Sequence, residues 1–258
     1  MVQDSSLFAT NLRSLRASLR LVEIAASDSR LFDLEGVTAA IVPATPDRSV
    51  VNSVVYDAAR ALEASLDRLA SAYEQAGVQA WTVWVPDEDR RAIHLLEKAG
   101  HKLDGSPRAM GMELDRLGDP PPEPEWSGAW DLGAAGLVND HAYGDPDGLW
   151  ARALGGLPEG SGHLYLARLE GEPASMVMVH DHDGDCGFWF AATVPSARGR
   201  GLVSGLLHLA TRGSGAAERA RPRRPRWAVP STSASATATS VHFICTSEGA
   251  LQAGPTKA

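Results

Sequence analysis

The stretch that most constrains this chain lies between Leu164 and Thr211, where three strand-like runs lead into a glycine-rich turn and a helix. Leu164-Tyr-Leu-Ala-Arg-Leu169 turns at Glu170-Gly171-Glu172 into Ala174-Ser-Met-Val-Met-Val179. A polar turn, Asp181-His-Asp-Gly-Asp185, leads to Gly187-Phe-Trp-Phe-Ala-Ala-Thr-Val194. Short apolar runs bounded by Gly, Asp and Glu read as strands joined by tight turns. After Pro195 the chain reads Arg198-Gly-Arg-Gly-Leu-Val-Ser204 and enters a helix over Leu202–Thr211. Glycines there let backbone N–H groups converge on one spot, and the helix start adds its positive dipole end. Arg198 and Arg200 supply charge-assisted donors beside it. The combination suits a pyrophosphate. Its place after an antiparallel meander, outside any βαβ unit, argues against a dinucleotide fold.

Thr193-Val-Pro-Ser-Ala-Arg-Gly-Arg-Gly-Leu202 resembles the fourth strand and acetyl-CoA loop of the GNAT superfamily of N-acetyltransferases, whose pattern is Gln/Arg-x-x-Gly-x-Gly/Ala. Arg198 and Gly201 match. Val203 stands where the family prefers Gly or Ala, and is expected to crowd the phosphate path slightly. The resemblance covers about residues 126–212. It implies an α/β fold with a GNAT-type mixed, mostly antiparallel sheet flanked by helices, and acetyl-CoA as cosubstrate. It further implies that strand Phe188–Val194 splays at a bulge and that backbone groups of Thr193 and Val194 pair with the pantetheine arm. The amides of Gly199, Arg200, Gly201, Leu202, Val203 and Ser204 would hold the pyrophosphate. The reaction implied is acetyl transfer to an amine, on a small-molecule or peptide acceptor, by direct attack. It needs a base, an oxyanion contact and an acid for the leaving thiolate.

Catalytic groups are harder to assign. Asp183 or Asp185 could face the substrate amine. Asn139-Asp-His-Ala-Tyr143 falls where the family's first helices line the acceptor pocket, so Tyr143 and Asp140 are further candidates. The plainer reading leaves these residues solvated or packed. His180-Asp-His-Asp-Gly-Asp-Cys186 has metal-ligand types, but a calcium loop counted from Asp181 needs a carboxylate at its twelfth position, which is Ala192. A polar hairpin turn with Asp-Gly chemistry accounts for it, and no metal is expected.

Upstream, helices are predicted over 7–22, 57–76 and 89–99, and strands over 37–43, 80–85 and 109–114. Trp81–Leu114, with Leu95-Leu-Glu-Lys-Ala-Gly-His101 between two strands, resembles the closing part of an acetyltransferase domain. Residues 37–80 lack the glycine loop. Residues 1–117 are therefore expected to be a smaller, degenerate GNAT-like half of a tandem arrangement. Gly118-Asp-Pro-Pro-Pro-Glu-Pro-Glu125 places four prolines in eight residues, an extended spacer and the expected boundary.

Beyond Arg212 the pattern changes. Residues 211–258 hold seven Lys/Arg against two acids, in a chain whose net charge is −8. The stretch 213–258 has the Arg/Pro-rich, then Ser/Thr/Ala-rich composition of a disordered tail. Arg219–Arg226 would be its phosphate-contacting part if it were a nucleic-acid arm. The favoured alternative is a one-base slip between about Thr211 and Trp227. Read one base out of frame, Trp227-Ala228 forces glycine, and the codons that follow permit Arg-Pro-Val-Tyr-Glu-Arg-Leu-Gly-Tyr, similar to the family's tyrosine-bearing helix and closing strands. A chain so altered would bind acyl-CoA without turnover, the main rival to an active enzyme. The chain has two cysteines and no apolar run of membrane-spanning length, and its first residues lack a secretory pattern, so the expectation is a cytoplasmic protein without membrane contact.

Overall fold

The chain is described by a computed structural model covering residues 5–105, 108–111, 119, 121–146, 148–213 and 236–246, with side chains outside the description at 5–8, 104, 108–111 and 236–246. Its elements are α1 (Ser5–Ala25), β1 (Arg30–Leu34), β2 (Val37–Ile41), β3 (Ser53–Tyr56), α2 (Ala59–Gln75), β4 (Ala80–Pro86), α3 (Arg90–Lys98), β5 (Lys102–Gly105) and β6 (Arg108–Gly111). They continue with β7 (Trp126–Ser127), α4 (Leu132–Tyr143), α5 (Leu149–Leu154), β8 (His163–Leu169), β9 (Glu172–His182), β10 (Asp185–Thr193), α6 (Leu202–Gly213) and β11 (Ala236–Thr246). Helix starts follow the caps available: the Asp89 and Asp131 carboxylates accept from the amides of Ala92 and Ala134 at 3.1 and 2.9 Å.

The chain divides into two compact units. The first contains α1 together with β7 through α6; the second contains β1 through β5 with most of β11. This differs from the expected 1–117 region: the boundary falls at Arg108, residues from Thr239 join the second unit, and α1 packs on β10, β9 and α5 of the first unit. Its apolar stripe, with Leu19 and Val22 buried, demands an apolar surface. Nothing in the helix's own residues says which surface that is.

In the first unit a four-stranded sheet runs β10-β9-β8-β7, every neighbour antiparallel. Both hairpins close on two residues with left-handed backbone, Glu170-Gly171 (φ 55 and 85) and Asp183-Gly184 (φ 47 and 89), the geometry whose twist matches that of the strands. The polar run at 181–185 is thus a tight turn, as its Asp-Gly pair suggested. One sheet face, Tyr165, Ala167, Val177 and Val179, packs on Leu206 and Ala210 of α6. The β9 residues of opposite parity, including Met176 and Met178, are fully buried on the other side.

Gly187 on β10 is where α1 comes closest. A Cβ there would collide with the Ser14 hydroxyl, and would lie 2.7 and 2.9 Å from Cε1 and Nε2 of His180. Gly187→Ala is therefore expected to cost about 1–3 kcal/mol, the usual range for overpacking. Urea unfolding measures this, and a loss under about 0.5 kcal/mol, the level of an indifferent surface change, would contradict the packing.

The proline segment does more than space two regions. The Arg168 amide donates to Glu125 O at 2.9 Å. A Cβ on Gly205 of α6 would sit 2.6 Å from the Pro124 ring. Trp126 stands 5.5 Å from the Tyr165 ring, and its indole N–H donates to Glu123 at 2.7 Å. The end of the expected spacer therefore lies against the first unit's own helix and sheet.

The second unit orders its strands β1-β2-β3-β4-β11-β5, with β6 off this path on β11. The β3–β4 pair is parallel, joined through α2, and the rest of β1–β5 is antiparallel where paired. Leu62, Leu66 and Leu69 of α2 pack on Val37, Ile41, Val54 and Val83. Asn52, fully buried, ties the β2–β3 connection: its carbonyl accepts from the Val42 amide at 2.7 Å, and its NH₂ donates to Thr45 O and Arg48 O at 3.0 Å each.

Residues 236–246 are not structureless. They form β11 between β4 and β5, antiparallel to both, with Ser240 opposite Pro86 and Thr246 opposite Ala80. Composition hid this strand: the Ser/Thr/Ala run reads as low complexity, while Val241-His-Phe-Ile-Cys245 holds the β-branched and aromatic types that strands favour. Arg219–Arg226 lie outside the described residues.

Candidate functional site

The site is built where β10 runs into α6. Along β10 the register with β9 slips between Phe188, opposite Val179, and Phe190, opposite Met178, so Trp189 is the extra residue of a bulge. Among the described residues β10 is the last strand of its sheet, with no strand paired to its other side. The strand ends at Thr193, anchored by its hydroxyl 2.8 Å from Ser175 Oγ, while the Val194 amide donates to Ala174 O at 2.9 Å. A single 3₁₀ turn over Pro195–Ala197 follows, with Ala197 buried beneath it.

The loop then makes two left-handed steps, at Gly199 and Gly201, both with φ 75. Each faces open space, since a Cβ would meet nothing within 4 Å. The glycines are needed for backbone conformation, not clearance. The Gly205 amide closes the first α-helical bond to Gly201 O at 3.0 Å. The N–H groups of Leu202, Val203 and Ser204 are then first-turn donors without an acceptor inside the helix. Open space above the loop, unpaired helix-start donors and the exposed Arg200 side chain fit a pyrophosphate.

Arg198 is tied into the fold. Its guanidinium donates to Ala142 O at 2.7 Å and to Thr193 O at 3.3 Å. It ties the C-terminal turn of α4 to the end of β10, and so fixes the loop from below. The Val203 side chain packs, partly buried, against the core formed by Leu206, Val177 and Val179, and so adds packing to α6.

Tyr143 is 67% exposed and its hydroxyl donates to Ala191 O at 3.4 Å, which places it over β10 two residues past the bulge. Asp140 is fully buried; one carboxylate oxygen accepts from the Trp150 amide at 3.1 Å, holding the start of α5. Asp183 occupies the turn at the far end of β10 from the loop, ten residues from Thr193, or about 33 Å along an extended strand. Asp185, next to it, is 3.5 Å from Arg13 of α1. The structure thus gathers Tyr143, Thr193, Val194 and residues 198–204 at one end and leaves Asp183 at the other. Two contributors went unnoticed in the sequence, the Ala142 carbonyl and Ser175, whereas the bulge at Trp189 lies within Phe188–Val194, the strand where the resemblance implies one. Only Ser175, a lone hydroxyl inside an apolar run, left a trace there.

Comparison with known proteins decides the family. A model described as "Acetyltransferase (GNAT) domain" matches residues 87–221, just over half of the chain. The chain belongs to the GNAT acetyltransferases. The fold agrees: a GCN5-related N-acetyltransferase from Kribbella flavida superposes with a TM-score of 0.57 at 16% identity, over 90% of this chain and 94% of that one. A functionally unknown conserved protein from Staphylococcus epidermidis gives 0.51 at 10% identity, over 84% and 94%. No curated protein matches the chain. Among the described residues no helix of this GNAT protein is long and apolar enough to cross a membrane, and no group of three His, Cys, Asp or Glu side chains is placed to hold a metal ion.

Proposed function

We propose that this protein binds acetyl-CoA along the free side of β10 and the α6 loop, and acts as an N-acetyltransferase on an amine. The observation that carries this is the pair of left-handed glycines, Gly199 and Gly201, opening onto the unpaired first-turn amides of α6 at the end of a bulged strand. Bound there, acetyl-CoA would supply an activated acetyl thioester to the acceptor amine. The loop amides and Arg200 would hold the pyrophosphate, and the backbone of Thr193 and Val194 would pair with the pantetheine arm. Arg198 would keep the loop in register through its two carbonyl bonds. Tyr143, exposed above Ala191, is the described hydroxyl best placed to exchange a proton near the bulge.

The second unit supports a tandem reading in one respect: its parallel β3–α2–β4 crossover has only Asp57 and Ala58 between strand and helix, with no glycine loop for a phosphate. We infer a partner half that does not bind acetyl-CoA. The compartment in this reading is the cytoplasm, and the acceptor is a small molecule or peptide.

Calorimetry with acetyl-CoA, paired with thiol release over a panel of amines, tests the proposal. Binding with thiol release supports it. Binding without release favours an inactive acyl-CoA-binding protein, the result expected if residues 213–258 are read one base out of frame. Sequencing the gene across residues 205–258 tests that slip directly. Absence of binding overturns the site.

A further inference from the structure

Beneath α1 the first unit holds a buried imidazole, with a half-buried one beside it, that the acetyl-transfer chemistry does not use. His180 of β9 is 3% exposed; neither ring nitrogen makes a well-formed hydrogen bond, and the backbone of Ser14 on α1 lies close enough to favour its charged form. His182, two residues on along the same strand face, has its ring centroid 5.2 Å away and both nitrogens likewise unpartnered. Over them sits α1, whose Ser14 hydroxyl and the His180 ring crowd together above Gly187. Trp189 closes the side toward the bulge, its ring 6.3 Å from His180. A neutral imidazole tolerates such a niche. A charged one does not, because the charge has left water without gaining a carboxylate.

We propose that His180, with His182 beside it, is a proton-sensitive clasp that holds α1 on β9 and β10 only while the His180 ring is neutral. Ionisable groups on every packed element bear on this. On α1, Arg13 is positive and pairs with Asp185 of β10 at 3.5 Å, so it disfavours a second positive charge nearby. On β9, His182 opposes protonation of His180, while Asp181 favours it weakly and lies 3.6 Å from His163 of β8. Cys186 of β10 belongs to the opposite sheet face, against the α6 core. Asp140 of α4 is committed to the Trp150 amide. Burial dominates, with His182 second, and together they outweigh the Ser14 backbone and Asp181 and push His180 down to about 4 from the ordinary 6.5.

The sign follows from linkage. A histidine whose docked pKa is depressed gives full stability above its free pKa, near 6.5, and loses it progressively as pH falls toward 4. For this one group, undocking should become about thirtyfold more favourable between neutral pH and pH 5. Because α1 covers the strand that carries the bulge, its release would also uncover β10 at Gly187.

Hydrogen exchange of the full chain tests this, read at amides of residues 9–25 between pH 7.5 and 5 and corrected for intrinsic rates. The reading must be local, because His101 in the second unit is also pushed to about 4 by burial and shifts any global acid melt. In the wild-type chain, α1 protection should fall about thirtyfold at pH 5, while β8 and β9 change far less. In His180→Leu the pH dependence should vanish. Equal protection at both pH values, or a dependence that persists in His180→Leu, overturns the proposal. If His180→Leu does not fold by circular dichroism, the His180 imidazole is titrated in the wild type by nitrogen-resolved NMR. A ring still neutral at pH 5.5 supports the clasp, and a midpoint at or above 6 overturns it.

Discussion

Gly201→Val should remove most acetyl-CoA binding while leaving the first unit folded. With φ at 75, this position lies in a region that costs an L-residue about 1–2 kcal/mol, and a β-branched residue more. No atom lies near enough to clash, so the strain is backbone strain alone. The cheapest relief is rotation of the flanking peptides. That turns the amides of Gly201 and Leu202 away from their common focus, and the ligand loses donors aimed at one point. A loss of about 1.5–3 kcal/mol corresponds to roughly a ten- to hundredfold rise in Kd. Gly199→Val should behave similarly. Calorimetry measures the affinity and circular dichroism the fold. Unchanged affinity in both variants would mean that the phosphates are not held by this loop.

The second large effect concerns stability and lies far from that chemistry in sequence. Asn52→Leu should destabilise the second unit by about 3–5 kcal/mol. The wild-type amide satisfies three buried backbone groups at once, from Val42, Thr45 and Arg48, and leucine of similar size satisfies none. Each orphaned group costs about 1–3 kcal/mol, partly recovered where the loop relaxes toward water. The connection it ties leads into β3, whose Ser53 and Val54 pair with β4, so the parallel part of the sheet should loosen with it. Urea unfolding followed by a tryptophan of β4 provides the measurement. Asn52→Asp is a useful companion, because it keeps the acceptor for the Val42 amide and loses both donors. A change below about 1 kcal/mol in Asn52→Leu would show that the three bonds contribute little.

Much of this architecture follows from short-range pattern. The α6 loop was recognisable because its requirements are local: glycines where φ is positive, an apolar helix directly after, and a strand directly before. The hairpin at Asp183-Gly184 was readable for the same reason, since turn chemistry is written in the two residues that make it. What the pattern could not show is pairing over distance. The stripe on α1 announces a buried face, but whether that face meets residues 30–100 or 170–190 depends on surfaces made elsewhere. β1 and β3 were missed because five- and four-residue strands carry little periodicity, and β11 because its residues sit in a stretch of biased composition. The side-chain contacts of Arg198 and Val203 were not readable for a related reason. A motif says which residue stands in a loop, and only the fold says whether its side chain turns toward the ligand or back to the α4 carbonyls and the core.

The division of the chain has a consequence for how it leaves the ribosome. α1 leaves the ribosome before its partners, and the strand it covers is made last among them: Ser14 and Gly187 stand roughly 170 residues apart, which at 5–20 residues per second is about 10–35 s of synthesis. During that interval the strands from β1 to β4 can pair, while a 21-residue helix with an uncovered apolar face waits. The nascent chain therefore carries an uncovered apolar helix face through that interval, and a chaperone that binds amphipathic helices would find its substrate there.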